Sequence, residues 1–159
     1  MLIGKKIILR DLNYSDVDFL FHIENNEELW KYGSERKKYS KLELVNYISD
    51  ANIDICIAGQ YRFVIESLNK PIGFVDLFNY AIHQAEVGII IDTPFRRKGH
   101  AKEALHLISS YAFKKLAIQH LLCSVKTTNK SSISLFYSCG FTLLQREKES
   151  EILILRNNL

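Results

Sequence analysis

The stretch VGIIIDTPFRRKGHAKEAL, residues 87–105, constrains the fold of this chain more than any other part of the sequence. It begins with apolar residues on both faces of a strand, the pattern of a central strand in a sheet. A basic turn that contains Gly99 follows, and an apolar stripe predicts a helix from Ala101 to about Leu116. The next predicted strand, residues 120–126, can reach the first one only by a crossover. The two strands are therefore predicted to be parallel.

Shorter patterns on either side of this unit predict the rest of the sheet. Strands are predicted at 5–10, 61–67, 73–80, 141–147 and 151–156, and helices at 13–29, 40–51 and 129–138. The predicted order of elements is β-α-α-β-β-β-α-β-α-β-β. We therefore predict an α/β (α+β) fold, a mixed sheet of six to seven strands flanked by four helices, in a single domain over residues 1–159.

The composition argues against several classes of protein. The three cysteines are widely spaced in apolar stretches, which suggests reduced thiols and fits neither a disulfide framework nor a zinc site. The five histidines have no metal-ligand spacing. No signal peptide is recognisable, and no apolar run approaches the roughly 20 residues that span a bilayer. We predict a cytoplasmic protein with no metal and with neither nucleic acid nor membrane as a partner.

The net charge of +3 conceals an uneven distribution. Residues 11–35 carry seven acids and one base, a balance of −6, whereas residues 96–130 carry eight bases and one acid, a balance of +7. Charge runs are often only solvated surface. The alternative is a domain with one side that binds anions and another that attracts cations.

The basic turn after the central strand is suited to phosphate. Free backbone N–H groups at a helix start, together with the positive end of the helix dipole, form an anion site. Four side chains add charge-assisted donors: Arg96, Arg97, Lys98 and Lys102. Gly99 has no Cβ to keep a ligand from the backbone. The turn lacks the Gly-Lys-Ser/Thr end of a Walker loop and the three glycines of a dinucleotide fingerprint. A basic turn without a ligand remains an alternative.

Two motifs resemble those of the GNAT superfamily of N-acetyltransferases. Residues 96–101, RRKGHA, are similar to the family's pyrophosphate loop, (Gln/Arg)-x-x-Gly-x-(Gly/Ala). Residues 129–141, NKSSISLFYSCGF, resemble the family helix N-x-x-(S/A)-I-x-L-Y-x-x-x-G-F. The motifs come in the family's order, separated by one helix and one strand. The resemblance covers most of the chain and is most specific over residues 85–141.

Within the superfamily, the chain resembles most the spermidine N-acetyltransferases and the ribosomal-protein-alanine acetyltransferase-like enzymes. The similar stretches are residues 23–35, 61–66 and 85–91. The resemblance implies the GNAT acyl-CoA N-acyltransferase fold and acetyl-CoA as co-substrate. It also implies acetyl transfer to a primary amine, with a cationic small molecule such as a polyamine as the expected acceptor.

The resemblance assigns three groups of residues to coenzyme A. The backbone of Ile89, Ile90 and Ile91 would pair with the pantetheine amides. The diphosphate would be held by the turn, namely Arg96, Arg97, Lys98, Gly99, His100, Ala101 and Lys102. Asn129 and the helix after it, with Ser132 and Phe136, would flank the thiol end.

Acetyl transfer also needs an acceptor for the amine proton and, preferably, an acid for the leaving thiolate. Glu86 is the candidate base; alternatively it faces solvent and pairs with a neighbouring base. Counting from Asn129, the family's tyrosine falls at Phe136, and Tyr137 lies about 100° further around the helix. Three interpretations are open. The helix is shifted so that Tyr137 faces the thiol as the catalytic acid, Phe136 takes the family position and water protonates the thiolate, or catalysis is degraded.

The candidate acceptor residues lie in residues 11–35, the acidic segment, and are Glu28, Trp30 and Glu35. A carboxylate attracts a cationic amine. Trp30 either lines the acceptor site or is an aromatic residue of the core. Two other functions stay open. The acceptor could be a protein N-terminus, a protein side chain or an amino-sugar, or the chain could bind acyl-CoA without turnover, which Phe136 would explain. A homo-oligomer is also left open.

Overall fold

The structure is a computed structural model that describes residues 1–31 and 36–158. In this part of the chain there are eight strands: β1 (Leu2–Ile3), β2 (Ile8–Asp11), β3 (Tyr61–Ser67), β4 (Lys70–Ala81), β5 (Gln84–Ile91), β6 (His120–Lys126), β7 (Thr142–Arg146) and β8 (Ser150–Arg156). There are six α-helices: α1 (Val17–Glu24), α2 (Glu27–Trp30), α3 (Lys41–Asp50), α4 (Ile55–Ala58), α5 (His100–Lys114) and α6 (Lys130–Ser138). Short 3₁₀ helices lie at Tyr14–Asp16 and Thr93–Phe95.

All eight strands form one mixed sheet in the order β1-β2-β3-β4-β5-β6-β8-β7. Every neighbouring pair is antiparallel except β5 and β6, which are parallel. The connection between these two strands contains α5, since parallel neighbours need a crossover. The predicted mixed sheet and its crossover are thus confirmed.

The counts of strands and helices exceed the predicted six to seven and four. β1 has two residues and is defined by its pairing with β2. α2 and α4 have four residues each, which is about one helical turn. Periodicity needs a longer window than β1 and α4 offer, so it could not identify them. The helix predicted at 13–29 divides instead into a 3₁₀ turn, α1 and α2, with a break at Asn25 and Asn26. None of the helices in the described ranges has the length and apolarity that a bilayer crossing requires.

Two apolar clusters cover the two faces of the sheet, because successive strand residues point to opposite faces. On β4, Val75 packs with Leu105 and Ile108 of α5 in the larger cluster. Phe74, its neighbour in sequence, packs with Leu20 of α1 in the other cluster, together with side chains of α3. α5 and α6 therefore lie on one face, and α1 and α3 on the other.

The feature that positions the site is the separation of β5 from β6. The two strands pair only at Gln84 with His120, Ala85 with Leu121 and Glu86 with Leu122. β5 remains paired with β4 as far as Ile91, and β6 remains paired with β8. Residues 87–91 of β5 thus have an edge without a strand partner, which faces the opening between the two strands.

Candidate active site

A groove of about 420 Å³ opens where β5 and β6 separate. It is lined by the end of β5, by the turn into α5 and by one face of α6. Of the residues predicted to contact coenzyme A, the groove brings together Ile89, Ile90, Ile91, Arg96, Arg97, Gly99, His100, Ala101, Lys102, Asn129 and Ser132. Lys98 and Phe136 are not part of its lining.

The turn between β5 and α5 is folded by a small set of hydrogen bonds. The Asp92 carboxylate accepts the N–H of Thr93 at 2.9 Å, and Arg96 Nε donates to the Ile91 carbonyl at 2.8 Å. Arg97 and Gly99 both have left-handed backbone, with φ values of 62° and 85°. Alternation of left-handed and other residues turns successive N–H groups into one concave surface that binds anions.

The first turn of α5 has N–H groups without acceptors in the helix. Gly99 is its N-cap and forms no side-chain cap hydrogen bond. The hydrogen bond from Glu103 N to the Gly99 carbonyl, at 3.1 Å, is the first of the helix ladder. The N–H groups of His100, Ala101 and Lys102 precede it, and all three residues line the groove. These donors, the helix dipole and the nearby cations can bind a diphosphate.

Phe95 organises the side chains around this turn and lines the groove, although the sequence did not single it out. The Lys98 ammonium lies over its ring, 5.7 Å from the centroid, although Lys98 itself does not line the groove. His100 Nδ1 lies 3.2 Å from the Phe95 carbonyl oxygen. Leu29 of α2 also lines the groove and was likewise not anticipated.

The face of α6 that lines the groove is rich in hydroxyl groups. Asn129 caps the helix, with its Oδ1 accepting the N–H of Ser132 at 3.3 Å. Ser131, Ser134 and Ser138 line the groove and were not among the predicted residues. Their spacing of three and four residues places them on one helix face, and this signal was present in the sequence.

Neither aromatic ring of α6 lines the groove. Phe136 is only 3% exposed and packs edge-to-face on Phe141, with ring centroids 5.0 Å apart. Tyr137, the candidate acid, is 42% exposed. The helix carries Phe136 into the core and Tyr137 toward solvent, as adjacent helical positions require. The structure therefore does not bring the Tyr137 hydroxyl to the groove, and its catalytic role stays a prediction.

Glu86, the candidate base, lies at the last paired position of β5 and β6, where the opening begins. Its Oε1 accepts a hydrogen bond from Asn79 Nδ2 at 2.9 Å. Its register partner is Phe78, so its side chain is on the α1 and α3 face of the sheet, opposite to α5. The side chain is half-buried and bonded to an amide, whereas the alternative interpretation expected a solvent-facing residue paired with a base.

A second, larger cavity of about 730 Å³ lies on that same face, between β3, β4, α1 and α3. We call it the acidic cleft, because its lining contains four acids and one base: Glu24, Glu43, Asp50, Asp76 and Arg62. Asn79, the partner of Glu86, also lines it. The acidic cleft therefore extends to the region of the candidate base.

Arg62 lines the acidic cleft and binds two of its acids. It forms two hydrogen bonds to Asp76, at 2.7 and 2.8 Å, and one to Glu24 at 2.5 Å. Burial alone would lower the pKa of Arg62, but Asp76 and Glu24 raise it well above its ordinary value. Glu24 and Asp76, which Arg62 engages, are half-buried, whereas Glu43 and Asp50 are exposed.

Two of the predicted acceptor residues, Glu28 and Trp30, lie outside the lining of the acidic cleft. Glu28 is exposed on α2, and the half-buried Trp30 donates its indole N–H to the Glu24 carbonyl at 2.9 Å. Glu35 lies outside the described residues. Sequence reasoning missed Asp50 and Asp76. Asp76 had a visible signal, an acid within the apolar strand pattern IGFVDLF.

The family follows from a comparison with known domains. A model of the acetyltransferase (GNAT) domain matches residues 6–142 of the chain. This protein belongs to the GNAT acetyltransferases. It is thus an acyl-CoA-dependent N-acetyltransferase, as the two sequence motifs predicted.

Relatives of this GNAT acetyltransferase include spermidine-acetylating enzymes. A spermidine N(1)-acetyltransferase of Vibrio cholerae is 30% identical over 141 residues, which are 87% of this chain and 80% of that protein. The crystal structure of the Vibrio cholerae enzyme with CoA and spermine has a TM-score of 0.85, at 24% identity and 96% coverage of both chains. A dodecameric structure of that enzyme has a TM-score of 0.79, at 24% identity, and covers 96% of this chain and 95% of the other. These structures confirm the predicted GNAT fold.

The co-substrate of this GNAT acetyltransferase is acetyl-CoA, and the groove between α5 and α6 suits its chemistry. Free N–H groups and the cations Arg97 and Lys102 match the phosphates. Apolar side chains such as Ile89, Leu135 and Leu29 match the aliphatic part of pantetheine. The unpaired edge of β5 offers backbone groups to the pantetheine amides, and acetyl-CoA supplies the activated acetyl thioester.

Proposed function

We propose that this GNAT acetyltransferase transfers the acetyl group of acetyl-CoA to a primary amine of a cationic small molecule, such as a polyamine, bound in the acidic cleft. The observation that carries the proposal is the position of the acidic cleft. Asp76 of the cleft is the register partner of Gly88 on β5, and Ile89, the next residue, lines the groove. The two cavities thus approach each other across the end of β5.

For the donor, we assign the diphosphate to the N–H groups of His100, Ala101 and Lys102 and to the side chains of Arg97 and Lys102. Arg96 acts on the turn, because its Nε is bonded to the Ile91 carbonyl. The backbone edge of residues 89–91 would pair with the pantetheine amides. Asn129 and Ser132, at the start of α6, would flank the thiol end of coenzyme A. These assignments follow the predicted set apart from Lys98 and Phe136.

For the acceptor, we assign the cationic tail to Asp50. Asp50 is the last residue of α3, where the helix dipole disfavours a negative charge. None of the ion pairs among the described residues involves Asp50. An acid that is exposed in a cavity at an unfavourable helix end gains from binding an ammonium group, which offsets its charge. The spermine complex of the Vibrio cholerae relative supports the choice of a polyamine.

The reaction is then a direct transfer. Glu86 accepts a proton from the bound ammonium group, through water or directly, and Asn79 holds its other side by the hydrogen bond to Oε1. The neutral amine attacks the thioester carbon, and an N–H on the unpaired edge of β5 stabilises the developing oxyanion. The C–S bond breaks, the thiolate of coenzyme A leaves, and the nitrogen releases its second proton to water, which leaves the neutral amide. We assign its protonation to water, because a thiolate with a pKa near 8.5 is a fair leaving group.

The experiment is a thiol-release assay with acetyl-CoA and a panel of amines, with the products identified by mass. Spermidine, spermine, amino acids, an amino-sugar and short peptides form the panel. We expect thiol release above background with the polyamines and an acetylated polyamine as product. Release with peptides alone would indicate a protein acceptor. Coenzyme A binding without release by any amine would contradict the proposed transfer.

A further inference from the structure

The start of α5 is held by the residues just before β2. The backbone N–H groups of Lys5 and Lys6 both donate to the carboxylate of Glu103, in the first turn of α5, with Lys6 at 2.9 Å. The Lys6 carbonyl in turn accepts a hydrogen bond from Ser67 Oγ at 3.0 Å. The backbone of Lys6 is therefore fixed on both sides, next to the turn that binds anions.

The side chain of Lys6 reaches the turn itself. Its Nζ donates to the carbonyl oxygen of Lys98 at 3.2 Å. It also lies 3.5 Å from the position that a Cβ on Gly99 would occupy. This cation comes from a part of the chain that is about 90 residues away and outside both GNAT motifs.

The Lys98 carbonyl and the Gly99 N–H belong to one peptide unit. In a trans peptide these two groups point in opposite directions, and no cis peptide is present among the described residues. An ammonium on the carbonyl side thus directs the N–H to the other side, and it strengthens that N–H as a donor by polarising the peptide. Gly99 lines the groove, whereas Lys6 does not.

We infer that Lys6 is a positioning residue for the phosphates of acetyl-CoA. It acts through the peptide between Lys98 and Gly99, which it holds with the N–H toward the diphosphate. Its charge, just behind the turn, also favours the bound anion. The inference rests on the groove being the coenzyme site, but it is independent of which amine is acetylated.

The test compares three variants in coenzyme A binding by titration calorimetry. Lys6→Met removes the charge and keeps most of the length, and Lys6→Arg restores a cation. Lys5→Met is the matched control, because Lys5 is the exposed neighbour bound to the same carboxylate through its backbone. We expect Lys6→Met to raise the Kd of coenzyme A by about 3- to 10-fold, given that charge-assisted hydrogen bonds are stronger than neutral ones. Lys6→Arg and Lys5→Met should stay within about twofold of the wild type.

Two further readouts separate positioning from general damage. The effect of Lys6→Met on Kd should shrink as salt is raised, because an exposed charge is screened. In turnover, the variant should raise the KM for acetyl-CoA, but not for S-acetylpantetheine, which has no phosphates, and kcat should be unchanged. Thermal unfolding of each variant, followed by circular dichroism, identifies any loss of fold.

Two results would overturn the inference. The first is a folded Lys6→Met protein that binds coenzyme A as tightly as the wild type. The second is an equal rise in KM for both acetyl donors, which would indicate that Lys6 merely supports the fold. If Lys6→Met does not fold, Lys6→Gln is titrated in its place, with the same expected and contrary results.

Discussion

At the scale of single residues, two adjacent rings on α6 have different environments. Phe136 is in the core against Phe141, and Tyr137 is half in solvent. The groove is instead lined by serines of the same helix, Ser131, Ser134 and Ser138. A serine hydroxyl is no stronger an acid than water, so these serines offer no dedicated proton donor, and we assign the protonation of the thiolate to solvent water.

The Tyr137→Phe variant tests this assignment. Because the Tyr137 hydroxyl does not line the groove, we expect kcat to fall by less than about tenfold, below the usual loss on removing a general acid. The measurement is steady-state thiol release at saturating acetyl-CoA. A loss of about a hundredfold or more, with the Kd of coenzyme A unchanged, would identify Tyr137 as the acid and contradict the protonation of the thiolate by water.

Glu86, unlike Tyr137, lies where β5 and β6 separate. It is half-buried, and its carboxylate accepts a hydrogen bond from Asn79. Glu86→Gln keeps the size and can still hydrogen-bond, but it cannot take a proton. We expect kcat to fall by about a hundredfold with little change in coenzyme A binding. Glu28→Gln, at an exposed acid of α2, is the control and should leave kcat within about twofold. An unchanged kcat in Glu86→Gln would remove it as the base.

At the scale of elements, α3 shows how a local motif supports the acidic cleft. Ser40 and Glu43 form a capping box, in which Glu43 N donates to Ser40 Oγ at 3.2 Å and Ser40 N donates to Glu43 Oε2 at 2.8 Å. Lys37 donates to the other oxygen of Glu43 at 3.0 Å. The backbone hydrogen bond from Ser40, followed by Lys37, lowers the pKa of Glu43 to about 2.

This lowered pKa predicts a pH-dependent contribution of the cap to stability. A carboxyl whose pKa is lower in the folded than in the unfolded protein stabilises the fold above its unfolded value, near 4.5. The contribution is lost as the pH falls toward the folded value of about 2. We expect Glu43→Gln to have a lower Tm than the wild type at pH 7 and a smaller deficit at pH ~3.5. A deficit that is equal at both pH values would contradict the role of the charge.

Long elements with a clear apolar period could be predicted from the sequence. Single helical turns and contacts between distant parts of the chain could not. β6 was predicted with its observed limits and α6 to within one residue, because each has a complete period of apolar residues. The turn at Gly99 was predicted from its composition. α4 was missed because a single turn has no period, and α1 and α2 were predicted as one helix because periodicity does not show the break at Asn25 and Asn26. Lys6 was missed because it meets the turn through tertiary structure.

At the scale of the whole molecule, the acidic segment (residues 11–35) and the basic segment (residues 96–130) correspond only partly to the two cavities. The basic segment supplies the turn of the groove, as predicted. The acidic cleft, however, takes Glu24 from the acidic segment and Asp50 and Asp76 from elsewhere in the chain. A sequence shows which charges are neighbours along the chain, whereas the cleft depends on how α3 packs over β4. The expectations of a single domain and of a homo-oligomer stay predictions.

The binding of a cationic acceptor in the acidic cleft can be tested through the KM for spermidine in an Asp50→Lys variant. Asp50 ends α3, so a lysine there suits the helix dipole and should not weaken the fold. We expect the wild-type protein to acetylate spermidine and Asp50→Lys to raise the KM for spermidine by at least about tenfold, because a like charge now faces the amine. The KM for acetyl-CoA should be unchanged. A KM for spermidine equal in both proteins, or no acetylation of spermidine by the wild type, would contradict the assignment of the acidic cleft to a cationic acceptor.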